Sequence, residues 1–143
     1  MSAIGRVLGL DPGERRIGVA LSDPLGIIAQ PLAVLDRRRD DVVAEVGEIV
    51  AAHGVERVVI GLPVSLRGEE GPAVARAREL GEVIARELNV AVEFYDERFT
   101  TVQAESALIE GRVRRRERRE ARDKVAAALM LQGYLQHPDR SGT

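Results

Sequence analysis

A length of 143 residues and a net charge of −2 fit one domain that is large enough to bury a proper core. The absence of cysteine excludes a disulfide framework and thiolate chemistry, and with only two histidines any metal site must use oxygen ligands. No apolar run approaches the roughly 20 residues of a membrane span and no signal-peptide core follows the N-terminus, which predicts a cytoplasmic protein with no membrane partner.

The first third of the chain is predicted to form three strands and a helix. Short apolar runs over residues 4–10, 17–22 and 29–35 predict three strands, because turn residues separate them. Residues 40–53 place apolar side chains at helical spacing, and Gly54 follows as the helix stop.

The middle of the chain alternates strands with helices. The β-branched run 58–62 predicts a strand that is buried on both faces, and residues 63–72 are predicted to be a loop. A helix over residues 73–88, with Asn89 as its stop, then precedes a strand over residues 90–95.

The remainder of the chain is predicted to be helical. Thr100 or Thr101 caps a helix that runs through Ile109, and a final helix covers about residues 118–136. The order βββαβαβαα predicts an α/β fold, with a mixed five-stranded sheet (three antiparallel N-terminal strands, then parallel units) and helices on both faces. We take residues 1–137 as one domain and residues 138–143 as a flexible C-terminal tail.

Asp11, just past the first predicted strand, is the first candidate for chemistry. It shares a strand face with Val7 and Gly9, and a carboxylate at the carboxyl end of a strand can hold a cation at the edge of the sheet. The alternative is an aspartate that caps its own turn, although Pro12-Gly13 already supplies that turn.

Two adjacent acids, Asp96 and Glu97, follow the fifth predicted strand. If the backbone is still extended there, their side chains point to opposite faces, so only one of them can reach a site shared with Asp11. The alternative is an acidic helix N-terminus, which the helix dipole favours.

Asp123 lies on the last predicted helix, on the face that carries Ala127, Met130 and Tyr134. That face should pack on the sheet, where a carboxylate without a partner would be costly. Asp123 therefore needs a metal or an arginine, and Arg119 at i−4 could supply an ordinary ion pair.

Asp11, Asp123 and one acid of the 96–97 pair would be three oxygen ligands from separate elements. Ligands of this kind suit Mg²⁺ or Mn²⁺ rather than zinc. Such sites carry out phosphoryl transfer, in which the metal lowers the pKa of an attacking water and stabilises the leaving oxygen.

Four segments match the motifs of one family, in order across nearly the whole chain. They are residues 9–20 (GLDPGERRIGVA), 59–63 (VIGLP), 96–101 (DERFTT) and 123–127 (DKVAA). Together they resemble the YqgF (RuvX) family, which is named for Holliday junction resolution and for cleavage of pre-16S ribosomal RNA. The loop after Gly-Leu-Pro departs from the family pattern, so an asparagine contact to substrate is not carried over.

The resemblance implies an RNase H-like fold of the RuvC type, in which three acids meet. Matched by motif, these metal ligands and catalytic residues are Asp11, Glu97 and Asp123, and Asp96 is less favoured as a ligand. The implied function is a nuclease dependent on Mg²⁺ or Mn²⁺ that processes the 5′ end of pre-16S ribosomal RNA. The alternative is a resolvase acting on four-way DNA junctions.

Basic residues near the acids are the candidate contacts to nucleic acid. Seven arginines fall between residues 112 and 122 and three more form the run 37–39, which is typical of a phosphate-binding face and also of a solvated helix face. With aromatic residues at 3%, shape and backbone contacts to folded RNA or branched DNA should dominate. The predicted contacts are Arg15, Arg16, Arg98, Arg114, Arg115, Arg118, Arg119 and Lys124.

Two further functions stay open on the sequence. Residues 9–13 also resemble the first phosphate motif of actin-like ATPases, but those proteins need a second similar domain, which 143 residues cannot hold. A module that binds ribosomal RNA without cutting it would keep the basic surface and would not need the acids. The oligomeric state is also open, because a resolvase cuts two strands symmetrically as a homodimer, whereas a ribosomal RNA nuclease can be a monomer.

Overall fold

Five strands form one mixed sheet with helices on both faces in the computed structural model, which describes residues 5–65, 67–97 and 115–136. The strands are β1 (Val7–Pro12), β2 (Arg16–Ser22), β3 (Ala29–Asp36), β4 (Arg57–Leu62) and β5 (Ala91–Asp96). The helices are α1 (Val42–His53), α2 (Pro72–Leu88) and α3 (Arg115–Gln136). The helix predicted to begin at Thr100 or Thr101, and the tail over residues 138–143, lie outside the described residues.

The strands follow the order β3-β2-β1-β4-β5 across the sheet. β1 pairs antiparallel with β2 and β2 antiparallel with β3, whereas β4 is parallel to both β1 and β5. The predicted α/β fold class is therefore confirmed, and the carboxyl ends of β1, β4 and β5 meet at one edge. No helix within the described ranges is long and apolar enough to cross a membrane.

The ends of the first strand and the first helix differ from the prediction. β1 ends at Pro12 rather than at residue 10, because Asp11 and Pro12 still pair with Gly18 and Ile17 of β2. Helix α1 starts two residues later than expected, since the Asp41 side chain accepts a hydrogen bond from the backbone N–H of Ala44 at 3.2 Å and so caps the helix.

The predicted stops of helices α1 and α2 are both present. Gly54 ends α1 in the left-handed conformation with φ 62°, and its backbone N–H bonds to the carbonyl of Val50. Asn89 ends α2 in the same conformation with φ 52°. Glycine and asparagine tolerate the left-handed conformation better than other residues. Their positions therefore predicted where the two helices end.

Two apolar clusters cover the two faces of the sheet. Alternate strand residues such as Leu8, Leu10 and Ile60 pack against α1 and α2, and they are fully buried. Val7, Val59 and Tyr95 point to the other face, where they meet the buried side of α3. This second face is called the α3 face below.

Glycines on the α3 face let the helix approach the sheet closely. A methyl group on Gly9 would lie 2.9 Å from Cβ of Leu131, and one on Gly18 would lie 2.8 Å from the carbonyl carbon of Asp123. Contacts that short are not tolerated, so larger residues at these positions would push α3 away. The close approach brings Asp123 down onto β2, beside the end of β1.

Candidate active site

Asp11 projects from the central strand onto the α3 face. It alternates with Val7 and Gly9 on that face and pairs with Gly18 of β2. On the other side Leu10 pairs with Ile60, which sets Gly61 of β4 level with Asp11. Because both flanking positions are glycine, the half-buried Asp11 carboxyl group has room at the edge of the sheet.

Glu97 reaches the same place from the end of β5. It follows Asp96 and therefore shares the α3 face with Tyr95. Its side chain forms a hydrogen bond with Asp11. The carboxyl group lies over Gly61, where a methyl group would come within 2.9 Å of its Cδ atom. Gly61 thus provides the space in which the two acids meet.

The electrostatics of this pair are unusual for surface acids. Burial raises the pKa of Glu97 to about 10, and the hydrogen bond to Asp11, the charge of Asp11 and the charge of Asp96 act in the same direction. At neutral pH Glu97 therefore keeps its proton and donates it to Asp11. A divalent cation between the two groups would replace that proton.

Asp96 lies on the opposite face of the sheet. It pairs with Leu62, whose side chain belongs to the cluster under α1 and α2, and it is buried. The alternation of a β-strand thus sends Asp96 and Glu97 to different faces, as expected from the sequence. Glu97 is the acid of this pair that contacts Asp11.

Asp123 approaches from α3 and is bound by an arginine of β2. Nε of Arg16 donates to Oδ2 of Asp123 at 2.9 Å, and each of the two side chains is 31% exposed. Burial raises the pKa of Asp123, and the charge of Asp11 adds to this effect, whereas Arg16 opposes it. The electrostatic effect of Asp11 indicates that the two carboxyl groups are neighbours.

The described arginine that is bonded to Asp123 is not the one at i−4 on the helix. Arg119 was the alternative on the helix itself, but its side chain lies outside the described part of the chain. Arg16, 107 residues away in sequence, takes that role.

The three acids do not form a ready metal site in this conformation. Asp11 and Glu97 are in contact, but Asp123 is bound by Arg16. Within residues 5–65, 67–97 and 115–136, no group of three histidine or acidic side chains is arranged to hold a metal ion. The structure thus brings two predicted ligands together and sets the third beside them, in an ion pair.

The predicted nucleic-acid contacts fall into three groups. Arg15 is exposed and pairs with Asp36 at 3.3 Å, whereas Arg16 is engaged by Asp123. Lys124 follows Asp123 on α3 and is half-buried. The others lie outside the described residues or lie in α3 with undescribed side chains: Arg98, Arg114, Arg115, Arg118 and Arg119.

Two arginines outside the predicted set lie at the end of the sheet where β1 ends, Arg37 beside the turn and Arg76 in α2. Nε of Arg37 donates to the carbonyl of Gly13, in the turn after Asp11, at 3.1 Å. Burial and the neighbouring charge of Arg76 on α2 lower the pKa of Arg37. The sequence carries one indication that Arg76 has a role at this end of the helix. The first turn of α2 has no acid and the next carries Arg76, although the helix dipole favours negative charge there.

The order of the strands and the helices that cover them define an RNase H-like fold. The three acids lie on β1, directly after β5 and on α3. The structure titled "T. thermophilus RuvC in complex with Holliday junction substrate" matches 92% of this chain and 95% of that chain, with a TM-score of 0.56 and 21% identity. A second Thermus thermophilus RuvC structure matches 95% of this chain and 98% of that one, at a TM-score of 0.56 and 20% identity. These likenesses concern the fold.

The chain belongs to the RuvX family. The family model described as "RuvX: Holliday junction resolvase" matches residues 5–137. A Moorella thermoacetica protein is 44% identical over 138 residues, which cover 96% of this chain and 99% of that one. A Clostridium beijerinckii protein is 45% identical over 131 residues, covering 91% and 95%. Both relatives carry the name "Putative pre-16S rRNA nuclease". The family predicted from the four motifs is confirmed, and with it the class of enzyme, a nuclease.

Proposed function

We propose that this nuclease depends on a divalent metal and processes the 5′ end of pre-16S ribosomal RNA. The observation that carries the metal dependence is the half-buried, hydrogen-bonded Asp11–Glu97 pair, with Asp123 beside it on α3. The names of the Moorella and Clostridium relatives support the substrate. A ribosomal RNA substrate would also place the protein in the cytoplasm.

The residues of the site fit Mg²⁺ or Mn²⁺. All three candidate ligands, Asp11, Glu97 and Asp123, offer carboxylate oxygens, which these hard cations prefer. The hydrogen bond between Asp11 and Glu97 shows that their carboxyl oxygens lie close enough together for one cation to bind both groups in place of the proton. When bound, such an ion supplies an activated water and stabilises charge on the leaving oxygen.

The protein's own contribution is to position these groups and the substrate. Asp11 is held in β1 by pairing with Gly18 of β2, and Glu97 directly follows β5, whose last residue still pairs with Leu62 of β4. Arg15, Arg37 and Arg76 lie at the same end of the molecule. They are suited to hold phosphates on either side of the bond that is cut.

Arg76 allows a matched test of this phosphate-binding edge. Arg76→Gln is expected to reduce the slope of log K against log salt by about 0.7–0.9, the contribution of one phosphate contact, for RNA or DNA. Arg37→Gln should act similarly. Arg86→Gln is the control, because Arg86 lies on the same helix in its last turn, at the other edge of the sheet. Fluorescence anisotropy with a labelled stem-loop at several salt concentrations measures the slope. Equal slopes for the Arg76 and Arg86 variants would contradict the assignment.

Cleavage of two substrates by the intact protein tests the proposed function. One is an RNA that carries the junction between the 5′ leader and 16S ribosomal RNA, and the other is a four-way DNA junction, each with Mn²⁺. The proposal expects cutting at the leader junction in RNA and little cutting of DNA. Symmetric cutting of the DNA junction would favour the resolvase named by the family model. Binding of RNA without cutting of either substrate would point to a non-catalytic module.

The mass of the protein in solution adds an independent criterion. A resolvase has to place two active sites symmetrically on a junction and so requires a homodimer. A nuclease that trims ribosomal RNA needs no such symmetry and can work as a monomer. A monomeric mass in light scattering, measured on the samples used for cleavage, would therefore argue against the resolvase.

A further inference from the structure

The ion pair between Arg16 and Asp123 lies where the third metal ligand would be needed. Nε of Arg16 and Oδ2 of Asp123 are 2.9 Å apart, and both side chains are about two-thirds removed from solvent. An arginine in this position neutralises one of three acids that gather at the edge of the sheet.

The fold fixes this pairing from two sides. Arg16 begins β2 and shares the α3 face with Gly18 and Ala20, so its side chain is directed toward the helix. Gly18 in turn lets the backbone of Asp123 approach to a distance that no other residue would permit. The pair therefore results from strand register and helix packing and not from a chance encounter of two surface side chains.

A divalent ion and Arg16 have conflicting requirements at Asp123. Both need its carboxylate oxygens, and two cationic groups that share one carboxylate repel each other. With Arg16 in place, only Asp11 and Glu97 are available to the ion, which accounts for the absence of a three-acid cluster among the described residues.

We propose that Arg16 is a positioning residue that competes with the divalent ion for Asp123, so that the third ligand is delivered only when the Arg16–Asp123 ion pair opens. This inference rests on the proposed metal-dependent function. In the metal-free protein, Arg16 is hydrogen-bonded to an acid that faces the charge of Asp11, and Arg122 adds a second positive charge that acts on the same acid. Once the pair opens, the guanidinium group is left beside the site, where a substrate phosphate can take the place of the carboxylate.

Calorimetric titration of the full chain with Mn²⁺, without nucleic acid, measures the competition directly. Arg16→Gln is expected to bind Mn²⁺ about tenfold more tightly than wild type, because the ion no longer has to displace a guanidinium group. Arg15→Gln is the matched control, since it removes an adjacent arginine whose partner is Asp36. Its affinity for Mn²⁺ should stay within about twofold of wild type. Arg16→Met, which keeps the aliphatic stem, replaces the glutamine variant if that one unfolds.

A double-mutant cycle shows whether Arg16 acts through Asp123. In an Asp123→Asn background, Arg16→Gln should lose most of its effect on Mn²⁺ affinity. Equal, weaker or undetectable Mn²⁺ binding by Arg16→Gln overturns the inference, as does a full effect that persists without Asp123. If the variants show the expected Mn²⁺ affinities but the wild type cuts neither RNA nor DNA, the proposed cleavage of these substrates is wrong. The competition between Arg16 and the ion for Asp123 is then still supported.

Discussion

Asp11→Asn is expected to lower the rate of nucleic-acid cleavage by at least about 1,000-fold, which corresponds to roughly 4 kcal/mol of lost transition-state stabilisation. Asp11 is the central acid of the site, since it bonds to Glu97 and acts electrostatically on Asp123. An amide keeps the shape of the side chain but cannot supply the negative charge that holds a divalent ion. Single-turnover cleavage with Mn²⁺ on the RNA and DNA substrates described above measures the loss.

Glu82→Gln provides the control for the Asp11 variant. It also removes one acid in favour of an amide, but Glu82 is exposed on α2 and lies away from the edge where the acids meet. This variant should cut at the wild-type rate, and both variants should give wild-type circular dichroism. Retention of cleavage by Asp11→Asn on the preferred substrate would remove Asp11 from the mechanism.

The free energy of unfolding of the metal-free protein is expected to fall as pH rises from about 5 to about 9. The ordinary pKa of the Glu97 side chain is 4.5, and burial beside Asp11 raises it to about 10 in the folded protein. Between those values the folded state holds a proton that the unfolded state has lost. Stability is therefore greatest below the unfolded pKa and declines toward the folded one, by at most about 1.4 kcal/mol per pH unit for this group.

Glu97→Gln isolates this contribution. The variant cannot ionise, so its unfolding free energy should vary less with pH, and it should exceed that of wild type at pH 8 in the presence of a chelator. Saturating Mn²⁺ should reverse the order, because only the wild type can exchange the proton for the ion. Urea denaturation at several pH values tests this. Parallel pH profiles for the two proteins would show that Glu97 is not protonated in the folded state.

Most of the fold could be predicted because its signals are local. The β-branched run of β4 and the helical spacing in α1 report burial directly, and Gly54 and Asn89 stop their helices through backbone geometry that few other residues accept. The end of β1 could not be predicted in the same way, because Asp-Pro-Gly has the composition of a turn. Pairing with β2 holds Asp11 and Pro12 in the strand despite that composition.

The faces on which the candidate acids lie could also be predicted, because strand alternation and helix periodicity decide them, whereas the choice of Glu97 over Asp96 came from the family motif. Glu97 and Asp96 illustrate this, since adjacent positions on an extended chain must point apart. The partner of Asp123 could not be predicted in the same way. Arg16 is 107 residues away, and nothing in the local pattern of either segment indicates that they meet. Only the close packing of α3 on Gly18 brings them together.

We propose that Asp11, Glu97 and Asp123 together bind one divalent ion. Anomalous diffraction at the manganese edge, from crystals of the wild-type protein grown with Mn²⁺, tests it most directly. We expect a peak at roughly 2 Å from carboxylate oxygens of Asp11 and Glu97, with Asp123 turned from Arg16 toward the ion. The shared ion would be contradicted by a map with no peak at this edge of the sheet at saturating Mn²⁺. In that case the Asp11–Glu97 hydrogen bond and the Arg16–Asp123 ion pair would both be intact.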